Sequence, residues 1–427
     1  MKQRFFKYIA DLRFAIGILL LIAICSIIGT VIEQDQPIET YKLNYPIANP
    51  VFGIFSWDLI VKFGFDHVYK TWWFITLIVV FGTSLVTCTI LQQLPGLKLA
   101  RKCQFFRSPL QFQKLNLSLK SSTINLNSFL RNRKIENYHI FQQKNLIYCY
   151  KGLIGRLGPI IVHFSMILVL IGTIISSISG FKAQEIIPKT EIFHIQNILG
   201  TGVFTELPKV SSRINDFWIT YNQRNIVQQF YSDLSILNDN GVEINRQTIY
   251  VNSPAKYNGI TYYQTDWNLI GIRVKTESEK INQYPLIPIS NKQEKLWVSW
   301  IPLTTELDRG LTILINNLEG YLSIYNSDGR FLGNLELNET QSFIKPLTFI
   351  DVISATGLQI KVDPGINLIY TGFGLLMLST LLSYITYSQV WIIQNGQNTY
   401  IGGSTTRATY EFEVEFFKVI KQFEYKS

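Results

Sequence analysis

Four stretches of this chain, residues 14–32, 72–91, 159–179 and 366–387, contain no Asp, Glu, Lys or Arg. Each is close to the ~20 residues a helix needs to cross ~30 Å of hydrocarbon. Surface helices of water-soluble proteins carry a charged face, so four uncharged runs predict an integral membrane protein with four transmembrane helices. The first run leads into Glu33, Gln34 and Asp35 with no small-residue cleavage pattern. It is therefore read as a retained span and not as a signal peptide.

The net charge is +9, and its location decides its meaning. The segment between the second and third runs sets Lys98, Arg101, Lys102, Arg107, Lys114, Lys120, Arg131, Arg133, Lys134, Lys144, Lys151 and Arg156 against Glu136 alone. That is the positive-inside pattern. The loop at 33–71 instead carries Glu33, Asp35, Glu39, Asp58 and Asp66 against Lys42, Lys62 and Lys70. Lys2, Arg4, Lys7 and Arg13 precede the first run. The expected topology puts the N-terminus (1–13), the basic loop (92–158) and the tail (388–427) on the cytosolic or stromal side. The loop at 33–71 and the segment at 180–365 then face the exported side. Orientation and attraction to anionic lipid account for the basic loop, so no nucleic-acid partner is expected.

From residue 180 to 365 the pattern changes to short alternating runs rich in Ile, Thr, Tyr, Trp and Val, broken by turn residues. This predicts a large, mostly β domain, as an antiparallel sandwich or open barrel. Asn240-Gly241, Asn258-Gly259 and Asp328-Gly329 mark hairpins. In the basic loop, 112–119, 138–141 and 147–150 alternate too and predict a small β unit. The tail after Gln394 reads as polar, with a strand or short helix over 410–425.

The cysteines are Cys25, Cys88, Cys103 and Cys149, none of them between 181 and 363. No CxxC or CxxCH occurs, so the chain is neither a thiol-disulfide carrier nor a c-type cytochrome. Walker A, HExxH and nucleophile-elbow patterns are also missing, and the spans hold no carboxylate of the kind transporters use.

The histidines are His67, His139, His163 and His194. His163 lies inside the third run, where an imidazole without partners for its nitrogens is costly. With a helix starting near Pro159, it would sit about four residues, or ~6 Å, from the positive side. A neutral imidazole there can donate from one nitrogen and bind a haem iron through the other, which implies a second axial ligand from elsewhere. Alternatives are a hydrogen bond to a backbone carbonyl or hydroxyl on a neighbouring span, with Ser26, Thr30, Ser84 and Thr87 as candidates, or a proton relay. His67, beside Trp72 and Trp73, is a lesser candidate whose plainer reading is an interfacial anchor. Cys88 is another, at a depth similar to His163, and is otherwise a packed thiol. His139 and His194 read as structural.

Several motifs, taken in order, resemble the ResB/CcsB family of system II cytochrome c biogenesis proteins of plastids and cyanobacteria. They are Leu12-Arg13-Phe14-Ala15 with Gly29-Thr30-Val31-Ile32-Glu33-Gln34, then Asp66-His67-Val68-Tyr69-Lys70-Thr71-Trp72-Trp73-Phe74, then Ser84-Leu85-Val86-Thr87-Cys88 and Leu157-Gly158-Pro159 followed by His163. Val251-Asn252-Ser253-Pro254, Tyr257-Asn258-Gly259 and Tyr262-Tyr263-Gln264 extend the likeness through the β segment. The resemblance implies covalent attachment of haem to apocytochromes c, such as cytochrome f, on the exported side of the thylakoid membrane. It implies haem b carried transiently as substrate, His163 as its transmembrane axial ligand, and a CcsA-type haem-handling protein supplying the other ligand. The chain would then be one subunit of a synthase and not an enzyme alone. A cofactor-free scaffold is the alternative. Abundant Ile, Asn and Lys suggest an AT-biased plastid genome, with a cyanobacterial thylakoid as second choice.

Overall fold

The computed structural model describes residues 2–51, 53, 55–122, 138–223, 227–276, 280–291, 294–303, 310–316, 318, 320–343 and 345–424. Arg131, Arg133, Lys134 and Glu136 of the basic loop lie outside them. The chain divides into two compact units, one of Met1–Gln34, Tyr41–Ser176 and Gly365–Ser427, the other of Asp35–Thr40 and Ser177–Pro364.

Among the described residues, four helices are long and apolar enough to cross a membrane: Leu12–Val31, Trp72–Arg101, Ile154–Ser179 and Ile366–Ser383. Their starts follow from local chemistry. The Asp11 carboxylate accepts the Arg13 N–H at 2.8 Å, and the Thr71 hydroxyl accepts the Phe74 N–H at 3.4 Å, each satisfying a donor that a first turn leaves unpaired. The second helix runs past its expected end at 91 through a π-helical turn, Thr89–Gln93. The third begins at Ile154, with Pro159 inside it. Only the Gly155 carbonyl, in the first turn, loses a partner to that proline.

The third and fourth spans meet backbone to backbone. A Cβ at Gly155 would stand 1.8 Å from the Ile385 carbonyl oxygen, one at Gly158 2.6 Å from the Ser383 backbone, and one at Gly365 2.0 Å from the Gly172 carbonyl oxygen. Small residues permit this approach, which replaces the hydrophobic drive that lipid does not supply. Elsewhere, Val68, Phe74 and Ile78 pack with Ile22 and Cys25 of the first span and Leu170 and Ile174 of the third. Ser84 Oγ donates to the Ile9 carbonyl at 2.7 Å and Gln92 Nε2 to the Ala10 carbonyl at 2.9 Å, tying the short helix Lys2–Ile9 to the second span.

A small domain completes this unit. Its antiparallel five-stranded sheet runs Leu117–Ser121, Asn398–Thr405, Ser388–Asn395, Leu146–Lys151, His139–Gln143. The tail thus supplies two internal strands and is no polar appendage, and the fourth span stops at Ser383 and not at 387. Helix Thr409–Glu424 covers one face with Phe412, Phe416 and Ile420, spaced four apart, over Ile147, Cys149, Val390, Ile392 and Ile401. On the other face Phe106 stacks on Trp391 with centroids 4.5 Å apart. The run expected as one strand over 112–119 divides, because a capping box of Ser108 and Gln111 starts the 3-10 turn Pro109–Lys114.

The second unit is the large β domain. Its seven-stranded antiparallel sheet is built on the long pair Ile260–Lys275 and Pro346–Val362. A four-stranded sheet holds Ser211–Tyr221, Val227–Leu237 and Glu243–Tyr250, and a five-stranded meander spans Ile287–Asn291 to Phe331–Glu336. The sheets are open, none closing into a barrel among the described residues, and they enclose two cores, one around Trp267 and Trp297 and one around Tyr262 and Ile360. The three turn dipeptides each connect paired strands. Asn258 (φ 48°) and Gly259 (φ 82°) form the two-residue turn with both φ positive that suits strand twist.

Candidate functional site

His163 lies nine residues after Ile154, about 14 Å along the helix at 1.5 Å per residue. It is deeper in the helix than a start at Pro159 implied. Its Nδ1 is 2.9 Å from Thr89 Oγ1 on the second span. Thr89 also donates its hydroxyl to the Leu85 carbonyl at 2.7 Å. A hydroxyl has one hydrogen, so with that hydrogen on Leu85, Thr89 must accept from His163. The network therefore assigns the proton to Nδ1 and leaves the Nε2 lone pair for another partner. The ring is half-buried and Phe164 beside it is exposed.

None of the four expected hydroxyl partners is the one used. Ser84 donates to the Ile9 carbonyl, Thr30 to the Ser26 carbonyl at 2.8 Å, and Thr87 to the Thr83 carbonyl at 2.7 Å. Thr87 and Thr89 point ~200° apart on an α-helix, so a change of two residues changes the face entirely. Thr89 opens the π-helical turn, a local rewinding that recurs at functional sites. The sequence holds no mark of it.

The other candidates stand apart. Cys88 precedes Thr89, but its thiol partner is Gln92 Oε1 at 3.7 Å. His67 sits before the second span, with Nδ1 2.8 Å from Asp66 Oδ1. The 17 residues of Trp72–Cys88 put about 25 Å of helix between it and Thr89. His139 packs on Tyr150 with ring centroids 5.1 Å apart, and His194 Nδ1 is 3.4 Å from Ser211 Oγ. No group of three or more His, Cys, Asp or Glu converges as a metal cage among the described residues. A single imidazole held at Nδ1 and set in apolar surroundings suits a ligand that carries its own equatorial donors, as a porphyrin iron does.

The ResB-like family matches residues 12–306 and 280–417. This chain belongs to that family. The ResB-like match takes in both His67 and His163 and every motif on which the resemblance was read. The chain is 66% identical to the cytochrome c biogenesis protein Ccs1 of Thalassiosira pseudonana, over 99% of this chain and 100% of that one. It is 42% identical to the cytochrome c biogenesis protein CcsB of Trichormus variabilis, over 99% of this chain and 93% of that one. Among solved structures, cytochrome c heme lyase CcmF aligns at 12% identity and a TM-score of 0.26, covering 76% of this chain and 42% of that one. That likeness is too slight to bear on the fold or the chemistry of this ResB-like chain.

Proposed function

We propose that this ResB-like protein acts in cytochrome c biogenesis, holding haem b as a transient substrate for covalent attachment to apocytochromes c such as cytochrome f. The carrying observation is the chain from the Leu85 carbonyl through Thr89 to His163 Nδ1. It orients the ring and, by accepting a hydrogen bond from Nδ1–H, raises the basicity of Nε2. One imidazole from this chain calls for a second axial ligand, which a CcsA-type membrane partner would contribute. The names of the Ccs1 and CcsB relatives support the role in cytochrome c biogenesis, and the basic loop on one side of the spans supports a topology with the large β domain on the opposite side, which in a thylakoid membrane would be the lumen. That domain has no cysteine from 181 to 363, so separate thiol carriers would keep the apocytochrome reduced while the domain serves as its platform.

The test is to purify the protein with its partner and compare haem spectra of the native complex and His163→Ala. Loss of the bound haem signal, restored by added imidazole, is expected. Unchanged haem content and coordination would overturn the reading. It would instead favour a cofactor-free scaffold, in which the His163–Thr89 bond only joins two spans.

A further inference from the structure

The last carbonyls of a helix have no partner within it. At the end of the third span they are taken by a loop of the large domain. Gly202 N–H and Thr205 Oγ1 each donate to the Gly180 carbonyl at 2.9 Å, and Phe204 N–H donates to the Ile178 carbonyl at 2.7 Å. The approach is close enough that a Cβ at Gly202 would stand 2.3 Å from the Ile178 carbonyl oxygen. The loop leaves directly from strand Ile198–Thr201, which pairs with Phe181–Pro188, the strand that follows the span. Its position at the helix end is thus fixed by backbone bonds on both sides.

Its side chains are not buried by that arrangement. Val203 is 87% exposed and Phe204 72%, and Leu207 is exposed as well. A spanning helix ends at the edge of the hydrocarbon, and a loop bonded to its final turn shares that depth. Apolar groups at this level meet headgroups and the first acyl carbons, where aromatic and aliphatic side chains are stabilised.

We propose that Gly202–Leu207 is a lipid-interface anchor, with Val203 and Phe204 inserted into the membrane face at which the third span ends. Thr205 and Gly202 hold the loop to the helix, and Val203 and Phe204 make the contact. The anchor fixes the root of the large domain at the bilayer surface.

The experiment places a nitroxide at Phe204→Cys in the full-length protein, with Cys25, Cys88 and Cys103 replaced by Ser and the buried Cys149 left in place. The protein is reconstituted without partners in nanodiscs of phosphatidylcholine and phosphatidylglycerol. A label at Asn240→Cys, on an exposed hairpin tip, serves as the water-facing control, and Val203→Cys repeats the measurement. The expected result is relaxation by oxygen with shielding from a water-soluble nickel chelate, the oxygen-to-nickel ratio standing several-fold above that of the control. Nickel accessibility equal to the control would overturn the proposal, because the loop would then face water. Shielding from both reagents would overturn it as well, because protein and not lipid would cover the tip.

Discussion

A threonine decides what the third-span histidine can do. With its hydrogen committed to Leu85, Thr89 can only accept from Nδ1, and it is this constraint that frees Nε2. Thr89→Val removes the acceptor while keeping the shape. Under the proposed haem ligation by His163, it should weaken haem retention by about 10–100-fold, the usual cost of losing a partner behind a metal-bound histidine, while Thr89→Ser retains affinity. Haem titration of the purified complexes checks this. Among the thiols, burial beneath the tail helix pushes Cys149 up to about 12, and Cys103 is exposed. Alkylation at pH 8.5 should modify Cys103 and spare Cys149, read by mass spectrometry. Since the folded value lies above the unfolded one of about 8.5, the thiol's contribution to stability is complete below pH 8.5. It is lost as pH rises toward about 12, in the same direction as the half-buried Tyr138 phenol, which burial also raises. The place of His163 within a spanning helix was legible because an ionisable residue in an apolar run stands out. Its partner was not, because a π-helical turn changes which face a hydroxyl occupies and leaves no sign in composition.

Among the elements, the third and fourth spans depend on contacts that only glycine allows. Gly365→Leu would drive a side chain into the Gly172 carbonyl, 2.0 Å from its Cβ, whereas Gly374 has nothing within 4 Å. The first substitution should destabilise the protein by about 1–3 kcal/mol or more, as overpacking does, and Gly374→Leu should be neutral. Thermal unfolding in detergent separates the two. Helix Thr409–Glu424 depends instead on its apolar stripe. Phe416, 3% exposed, should cost about 3–5 kcal/mol as Phe416→Ala, measured by the same unfolding. The spans and the hairpins at Asn240-Gly241, Asn258-Gly259 and Asp328-Gly329 could be read in advance because length, charge and turn chemistry are local. The start of the third span could not be placed so well, since a first-turn preference for proline does not forbid a helix from beginning one turn earlier.

At the level of the whole molecule, the basic loop and the C-terminal tail are one domain. The Asn145 side chain donates to the Gln394 carbonyl across 249 residues of sequence, and Lys151 pairs with Glu415 of the tail helix. Ending the chain after Tyr387 would remove two of the five strands and the covering helix. The strands at 139–151 should then be cut rapidly in limited proteolysis, whereas in the intact protein they resist. Survival of the loop would mean that it folds without the tail. From the amino-acid order alone came the four membrane spans, the antiparallel β character of the large domain and the singular position of His163, since each is written in hydrophobic length, period and charge within one stretch of chain. Which strands share a sheet with the tail, which hydroxyl faces the imidazole, and which loop closes the end of the third span were decided by tertiary structure. Those are choices among partners far apart in sequence, made by shape and by the need of every buried polar group for a mate.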